Sequence, residues 1–348
     1  MTARVETKGL FSGKRILVTG GTGSFGHQIV DRLLKESPAE IRIFSRDEDK
    51  QVRMSEEYGM GHHYPKKASM NFVIGDVRNP GSVRGAMRGI DIVFHAAALK
   101  QVPLCEYHVW EAVQTNVIGA QNVIQAALEE EVEKVVAIST DKAVKPVNAM
   151  GMSKAIQEKL FTAANFHKAG KKTVFVCVRY GNVVGSRGSV IPLFKRQIES
   201  GGPITITDRE MTRFILTLSE AIDLVFRAVH KGVGGEIFVL KIPAALVTDI
   251  AEVMAESLAS KKKIPIRTIG IRPGEKIHEV LISEAEAART VEENSTFTIL
   301  PQINLQATRA SQRKVGSAGF REYTSDAAPR LTKKEIKSIL TRTGWLRR

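Results

Sequence analysis

The chain has 348 residues, 43% hydrophobic and 25% charged, and 51 Lys+Arg against 37 Asp+Glu leave a formal net charge of +14. This composition excludes disorder as the main state, and two lone cysteines, Cys105 and Cys177, exclude a disulfide framework or zinc cluster and fit a reducing compartment. No apolar run approaches the length of a membrane span, and Met1 to Gly13 carries no apolar core of a signal peptide, so the default expectation is a cytoplasmic protein.

Apolar runs alternate with helix-period segments through the first half. The pattern predicts strands at Arg15 to Thr19, Glu40 to Phe44, Asn71 to Ile74, Asp91 to His95, Lys134 to Ser139 and Thr173 to Arg179. Helices are predicted to begin near Ser24, Pro80, Val109 and Asn148. This is the signature of an α/β fold, a Rossmann-type doubly wound parallel sheet with helices on both faces. After about Gly185 the elements shorten between Gly201-Gly202-Pro203 and Gly232 to Gly235, which predicts a smaller mixed α/β substrate-binding lobe laid over the strand ends. The expected division is a cofactor domain over 1–185, rejoined by some later segments, a lobe over 186–300 and a basic extension over 301–348. From Arg309 to Arg348 eleven Lys/Arg face three Asp/Glu, but with few aromatics and no nucleic-acid motif. That segment reads as a solvated extension, and no nucleic-acid partner is expected.

Directly after the first strand stands Thr19-Gly20-Gly21-Thr22-Gly23-Ser24-Phe25-Gly26. Glycines 20, 23 and 26 allow a tight turn, a close approach of backbone N–H groups to a pyrophosphate, and packing of the next helix against the sheet. The order strand, loop, helix gives the motif its weight and points to a dinucleotide. The second strand ends in Ser45-Arg46-Asp47, with Lys50 a turn later. Arg46 and Lys50 suit the extra 2′-phosphate of NADP, whereas Asp47 would serve NAD if its carboxylate pointed at the ribose. NADP is the expected cofactor. Asp76-Val77 after the third strand can reach an adenine, and Ala96-Ala97-Ala98 after the fourth lets the backbone approach the cofactor.

The most informative stretch is Ile138-Ser139-Thr140-Asp141-Lys142-Ala143, followed by Asn148-Ala149-Met150-Gly151-Met152-Ser153-Lys154. With Lys100-Gln101-Val102-Pro103, Arg179-Tyr180-Gly181-Asn182-Val183, Met211-Thr212-Arg213-Phe214 and Arg272-Pro273-Gly274-Glu275-Lys276-Ile277-His278-Glu279, it resembles the extended short-chain dehydrogenase/reductases. Within them it is most similar to the inverting UDP-N-acetylglucosamine 4,6-dehydratases of capsule, O-antigen and flagellar sugar pathways, from about Lys14 to Val280. The family's catalytic Tyr, four residues before the Lys, is replaced here by Met150, whose thioether moves no proton. The same replacement marks a capsule subgroup.

The resemblance implies a redox-neutral elimination in which hydride leaves C4 of the sugar for NADP and returns to C6 after water is lost. A ketone at C4 acidifies the C5 hydrogen, so a base is needed at C5 and an acid at the C6 hydroxyl. Lys142 and Asp141 supply them, on the reasoning that Lys142 has a lowered pKa in the ternary complex while burial keeps Asp141 protonated. Resemblance further implies that Thr140 holds the 4-hydroxyl and Lys154 the nicotinamide ribose. It also implies that Asn182, Arg213, Arg272 and Glu275 hold the UDP-sugar and that Lys100 lies between cofactor and sugar. His278 reads as a packed histidine, and no metal is expected. The expected activity is therefore that of an NADP-dependent hydro-lyase, with room for further epimerisation at C5 or C3. A UDP-sugar 4-epimerase is the alternative, and a non-catalytic NADP sensor is the reading from another class. The family implies a homo-oligomer, paired through the helices read near Val109 to Glu130 and Asn148 to Ala169. Tyr323 to Asp326 and Lys333 to Leu340 resemble the end of the capsule subgroup, where they would pack on a neighbouring subunit.

Overall fold

The computed structural model describes residues 9–59, 69–186, 188–259, 264–302 and 319–347. Arg309, Arg313, Lys314 and Arg348 of the basic run, and residues 1–8 of the N-terminal stretch, lie outside the described residues.

The six strands read from the sequence form within two residues of their expected ends. They are β1 (Arg15–Thr19), β2 (Glu40–Ser45), β3 (Ser69–Ile74), β4 (Ile92–His95), β5 (Lys134–Thr140) and β6 (Val174–Tyr180). All are parallel, in the order β3-β2-β1-β4-β5-β6. Helices cover both faces, which is why Ile16-Leu17-Val18 in β1, Val135-Val136-Ala137 in β5 and Val176-Cys177-Val178 in β6 are each fully buried rather than alternating. Three later strands extend the same sheet beyond β6: Ile237–Leu240 parallel to it, then Thr296–Ile299 and Thr290–Glu293 antiparallel. The fold is thus the expected Rossmann-type α/β sheet. Its strand order reverses between β1 and β4, and that reversal opens a crevice at the carboxyl ends of the strands.

The helices of this half are α1 (Ser24–Leu33), α2 (Glu48–Glu57), α3 (Pro80–Met87), α4 (Val102–Tyr107), α5 (Val109–Ala112), α6 (Gly119–Glu129) and α7 (Ala149–Ala164). Local chemistry sets their starts. Asn79 accepts a bond from the Ser82 N–H ahead of Pro80 in α3, and Asn148 accepts one from the Gly151 N–H in α7. The helices α2 and α4 were not anticipated: α2 buries only Gln51 and Met54, and α4 is six residues long. Between α5 and α6 the chain makes a π-helical turn, Val113–Ile118. Asn116 in that turn bonds both the N–H and the C=O of Leu99 and the hydroxyl of Ser153, tying the loop after β4 to α7.

A second apolar cluster builds the smaller lobe from Ile191, Phe194, Ile204, Ile250 and Met254. Ile336 and Leu340 of the helix Lys333–Arg342 join that cluster, and Tyr323–Thr324 pairs antiparallel with Val280–Ile282. The C-terminal residues expected against a neighbouring subunit therefore pack on their own chain. The reason is the apolar stripe of that helix, which fills a gap in the lobe.

Candidate active site

The crevice opens into a cavity of about 800 Å³, shared by the glycine loop, the end of β5 and the loop of the smaller lobe. Gly20 has φ +67°, and a Cβ there would stand 2.8 Å from the backbone nitrogen of Ala97, so only glycine lets the loops after β1 and β4 meet. A Cβ on Gly26 would run into the carbonyl of Gly21. Gly23 precedes α1 with no side-chain cap, and no acidic residue stands in the first turn of the helix. This glycine-built turn at a positive helix end fits a dinucleotide pyrophosphate. Thr22, Ser24, Phe25, Ala96 and Ala97 line the same wall.

At the end of β2, the Ser45 hydroxyl meets that of Thr22 at 2.9 Å. Asp47 caps α2 by accepting the Lys50 N–H at 3.0 Å, and its other oxygen pairs with the Lys50 ammonium. Its carboxylate is therefore turned to its own helix. Arg46 is exposed, 3.7 Å from Asp76. Burial pushes the Asp76 carboxyl up, but bonds from Arg78 outweigh it and hold the group below the usual range. The Val77 carbonyl accepts a bond from Asn122.

Asp141 and Lys142 lie in a single turn immediately after β5. Thr140 Oγ1 donates to Asp141 Oδ1 at 2.9 Å, and Lys142 Nζ donates to the same oxygen at 3.0 Å. Asp141 is fully buried, with its Oδ2 unpartnered among the described residues. From the other side, Glu279 Oε1 faces Lys142 Nζ at 3.2 Å and Arg213 Nε at 3.6 Å. Burial raises the Asp141 carboxyl, Lys142 opposes this, and Glu279 reinforces it, so the net direction is upward. Burial also raises Glu279, but Lys142 and Arg213 outweigh it and leave that group below its ordinary value. For Lys142 burial lowers the ammonium, yet Asp141 and Glu279 together raise it. The lowered Lys142 expected for the ternary complex is thus absent from the chain alone, because two carboxyl groups flank the amine.

Met150 is buried, packs with Cys105 and Ala112 against Leu99, Val102 and Ala149, and lines the cavity. Lys154, one turn on, donates to the Ile138 carbonyl and to Gln157 Oε1, both at 2.7 Å, and burial lowers it to about 8. Asn148 joins the two lobes by donating to the Gly274 carbonyl at 2.7 Å.

Lys100, Asn182, Arg213, Arg272 and Glu275 all line the cavity. Their present partners differ. Arg213 donates to the carbonyls of Thr212, Lys276 and Ile277, Glu275 accepts from the backbone N–H of Arg272, and the buried Asn182 Oδ1 has no partner among the described residues. His278 is held by the Thr212 hydroxyl at 2.8 Å. Among the described residues no group of His, Cys, Asp and Glu is arranged to hold a metal. Sequence reasoning passed over Glu279, Lys276 and Asn116 as site residues. Glu279 closes the quoted Arg-Pro-Gly-Glu motif, and a carboxylate directly before the apolar run Val280-Leu281-Ile282 was the available signal.

The family model described as polysaccharide biosynthesis protein matches residues 16–301. The chain belongs to this family. A UDP-glucose 4-epimerase of Rickettsia bellii is 45% identical to this polysaccharide-biosynthesis protein over 344 residues, covering 97% of this chain and 98% of the relative. The solved structure of Pen from Bacillus thuringiensis is 40% identical and superposes with a TM-score of 0.86, over 96% of this chain and 99% of that one. A dTDP-glucose 4,6-dehydratase from Streptomyces venezuelae with NAD bound, 23% identical, shares the fold at a TM-score of 0.65 over 76% of this chain and 86% of that one. No helix among the described residues is long and apolar enough to cross a membrane.

Proposed function

We propose that this member of the polysaccharide-biosynthesis family is an NADP-dependent, inverting hydro-lyase. It would convert UDP-N-acetylglucosamine to a UDP-2-acetamido-2,6-dideoxy-4-keto-hexose inverted at C5. The observation that carries the reading is the contact of the fully buried Asp141 with Lys142, which lines the cavity together with the glycine loop: an acid-inclined carboxyl beside an amine. Elimination across C5 and C6 needs that pair, one group to take the C5 proton and one to protonate the departing hydroxyl.

Gly20, Gly23 and Gly26, with Thr22 and Ser24, would hold the NADP pyrophosphate, and Arg46 its 2′-phosphate. When bound, NADP supplies an acceptor for the hydride of C4 and a donor for C6. Lys142 takes the proton from C5. Asp141 gives its proton to the leaving hydroxyl and regains one from water after the product leaves, while Thr140, bonded to Asp141, would hold the 4-hydroxyl and order the water that takes its proton. Lys154 would bond the ribose, and Arg213 and Arg272 bring planar guanidinium groups to the diphosphate. Met150 contributes an apolar wall in place of a hydroxyl.

The name of the Rickettsia relative favours a second reading, 4-epimerisation of a UDP-sugar. That reaction touches only C4 and has no use for an acid–base pair at C5 and C6. Incubation of the purified protein with UDP-N-acetylglucosamine and NADP, followed by mass spectrometry, separates the readings. Loss of one water is expected. Conserved mass with an inverted C4 supports the epimerase, and an unchanged sugar leaves only a nucleotide-binding sensor.

A further inference from the structure

We propose that Glu279 takes the proton that Lys142 must lose before Lys142 can act as a base. The inference rests on the dehydratase reading and adds a residue to it. A lysine accepts a proton only when neutral, and its ordinary pKa of about 10.4 leaves almost none neutral near pH 7. Two carboxyl groups touch Lys142 Nζ: Asp141 at 3.0 Å and Glu279 at 3.2 Å. Asp141 is the one that burial and Glu279 push toward the protonated form, which suits it to serve the hydroxyl. Glu279 is the carboxylate left to receive the Lys142 proton.

The setting of Glu279 fits that task. It is 2% exposed, its Oε1 faces Lys142 and Arg213, and its Oε2 is buried without a partner among the described residues. A buried carboxylate with a structural role alone usually has both oxygens bonded. The backbone is fixed on both sides by Ser325: the Glu279 N–H donates to Ser325 Oγ at 2.9 Å, and the Ser325 N–H donates to the Glu279 carbonyl at 2.8 Å. Ser325 is in turn 2.6 Å from Thr212 Oγ1. Thus a residue far along the chain aims the acceptor at the amine.

In the step itself, an N–H bond of the Lys142 ammonium breaks and an O–H bond forms on Glu279 Oε1, converting an ion pair into two neutral groups. Exclusion of water by the bound sugar favours that direction, since burial penalises charge. Lys142 then accepts the C5 proton and is an ammonium again; inversion at C5 requires that the proton delivered to that carbon come from the opposite face, from water, and Glu279 releases its own proton to solvent when the product leaves. Glu279 is a positioning residue, acting through Lys142.

The test measures deuterium entry at C5 from D2O with UDP-N-acetylglucosamine and NADP. Glu279→Gln is expected to slow it about a hundredfold with KM for the sugar within about threefold, and Glu279→Asp, which keeps a carboxylate, to recover at least about tenfold of the loss. An infrared difference spectrum of the wild-type enzyme on adding both ligands needs no variant, and a new protonated-carboxyl band is expected in it. Wild-type exchange in Glu279→Gln, equal loss in both variants, or absence of the band overturns the proton route while the dehydration stands. A wild-type enzyme that releases no water overturns the dehydration itself, and with it the reaction this proton serves.

Discussion

Asp47 and Arg46 are neighbours of opposite sign at the corner where a ribose would lie, and the residue that stays available decides the nucleotide. Asp47 commits one oxygen to the N-terminus of α2 and the other to Lys50. Among the described residues Arg46 has a loose pairing with Asp76, at 3.7 Å and exposed to solvent, which a 2′-phosphate in bidentate contact would outcompete. A charge-assisted bond of this kind contributes about 1.5–3 kcal/mol. Arg46→Ala is therefore expected to weaken NADP about ten- to a hundredfold by calorimetric titration while leaving NAD within about twofold. An equal loss for both nucleotides would place the 2′-phosphate elsewhere. The sequence exposed both residues and favoured NADP, but not the bond that turns Asp47 to its own helix, because a capping bond depends on where a helix begins, and α2 was not anticipated.

At the scale of elements, the parallel strands were legible because a sheet covered on both faces requires unbroken apolar runs, and Ile16-Leu17-Val18 and Val176-Cys177-Val178 meet that demand in the sequence itself. The short helix α4 was not legible, because Pro103 in its first turn and six residues of length give no helical period to read. The helix Lys333–Arg342 was legible as a helix but not as a structural part of the smaller lobe. Its capping box, Thr332 with Glu335, fixes where it starts, and Ile336 and Leu340, one turn apart, enter the second apolar cluster. Just beyond it Trp345 packs so closely on Gly185 that a Cβ at that glycine would collide with the indole ring. The loop containing Gly185 continues into Ser186, Gly188 and Ser189, which line the cavity. Leu340→Ala should thus cost about 2–5 kcal/mol in denaturant unfolding, and it should raise KM for the sugar more than it lowers kcat. Unchanged stability would mean that the helix only rests on the lobe.

For the whole molecule, the candidate site draws on residues the sequence holds far apart: Asp141 and Lys142 after β5, Glu279 before the strand Val280–Ile282, and Ser325 near the end. The first pair was legible because adjacent acid and amine after a strand end are chemically conspicuous. The other two were not, because only the pairing of Val280–Ile282 with Tyr323–Thr324 brings them there. The same scale carries the question of assembly. Trp110 of α5, Ile118 of the π-helical turn, and Met152 and Ile156 of α7 are large apolar side chains left between 42% and 63% exposed. Met152 and Ile156 are four residues apart and so share one face of α7, and α7 packs directly against α5 and the π-helical turn. An exposed apolar stripe on two packed helices is a surface that water penalises, and a two-fold axis lets a second copy of the chain cover it with the same residues. We therefore expect a dimer in solution by light scattering, and Met152→Glu with Ile156→Glu, which sets like charges against each other across the axis, should halve the mass without lowering the melting temperature of the isolated chain. A double variant that keeps the wild-type mass would show that these helices face solvent or another partner.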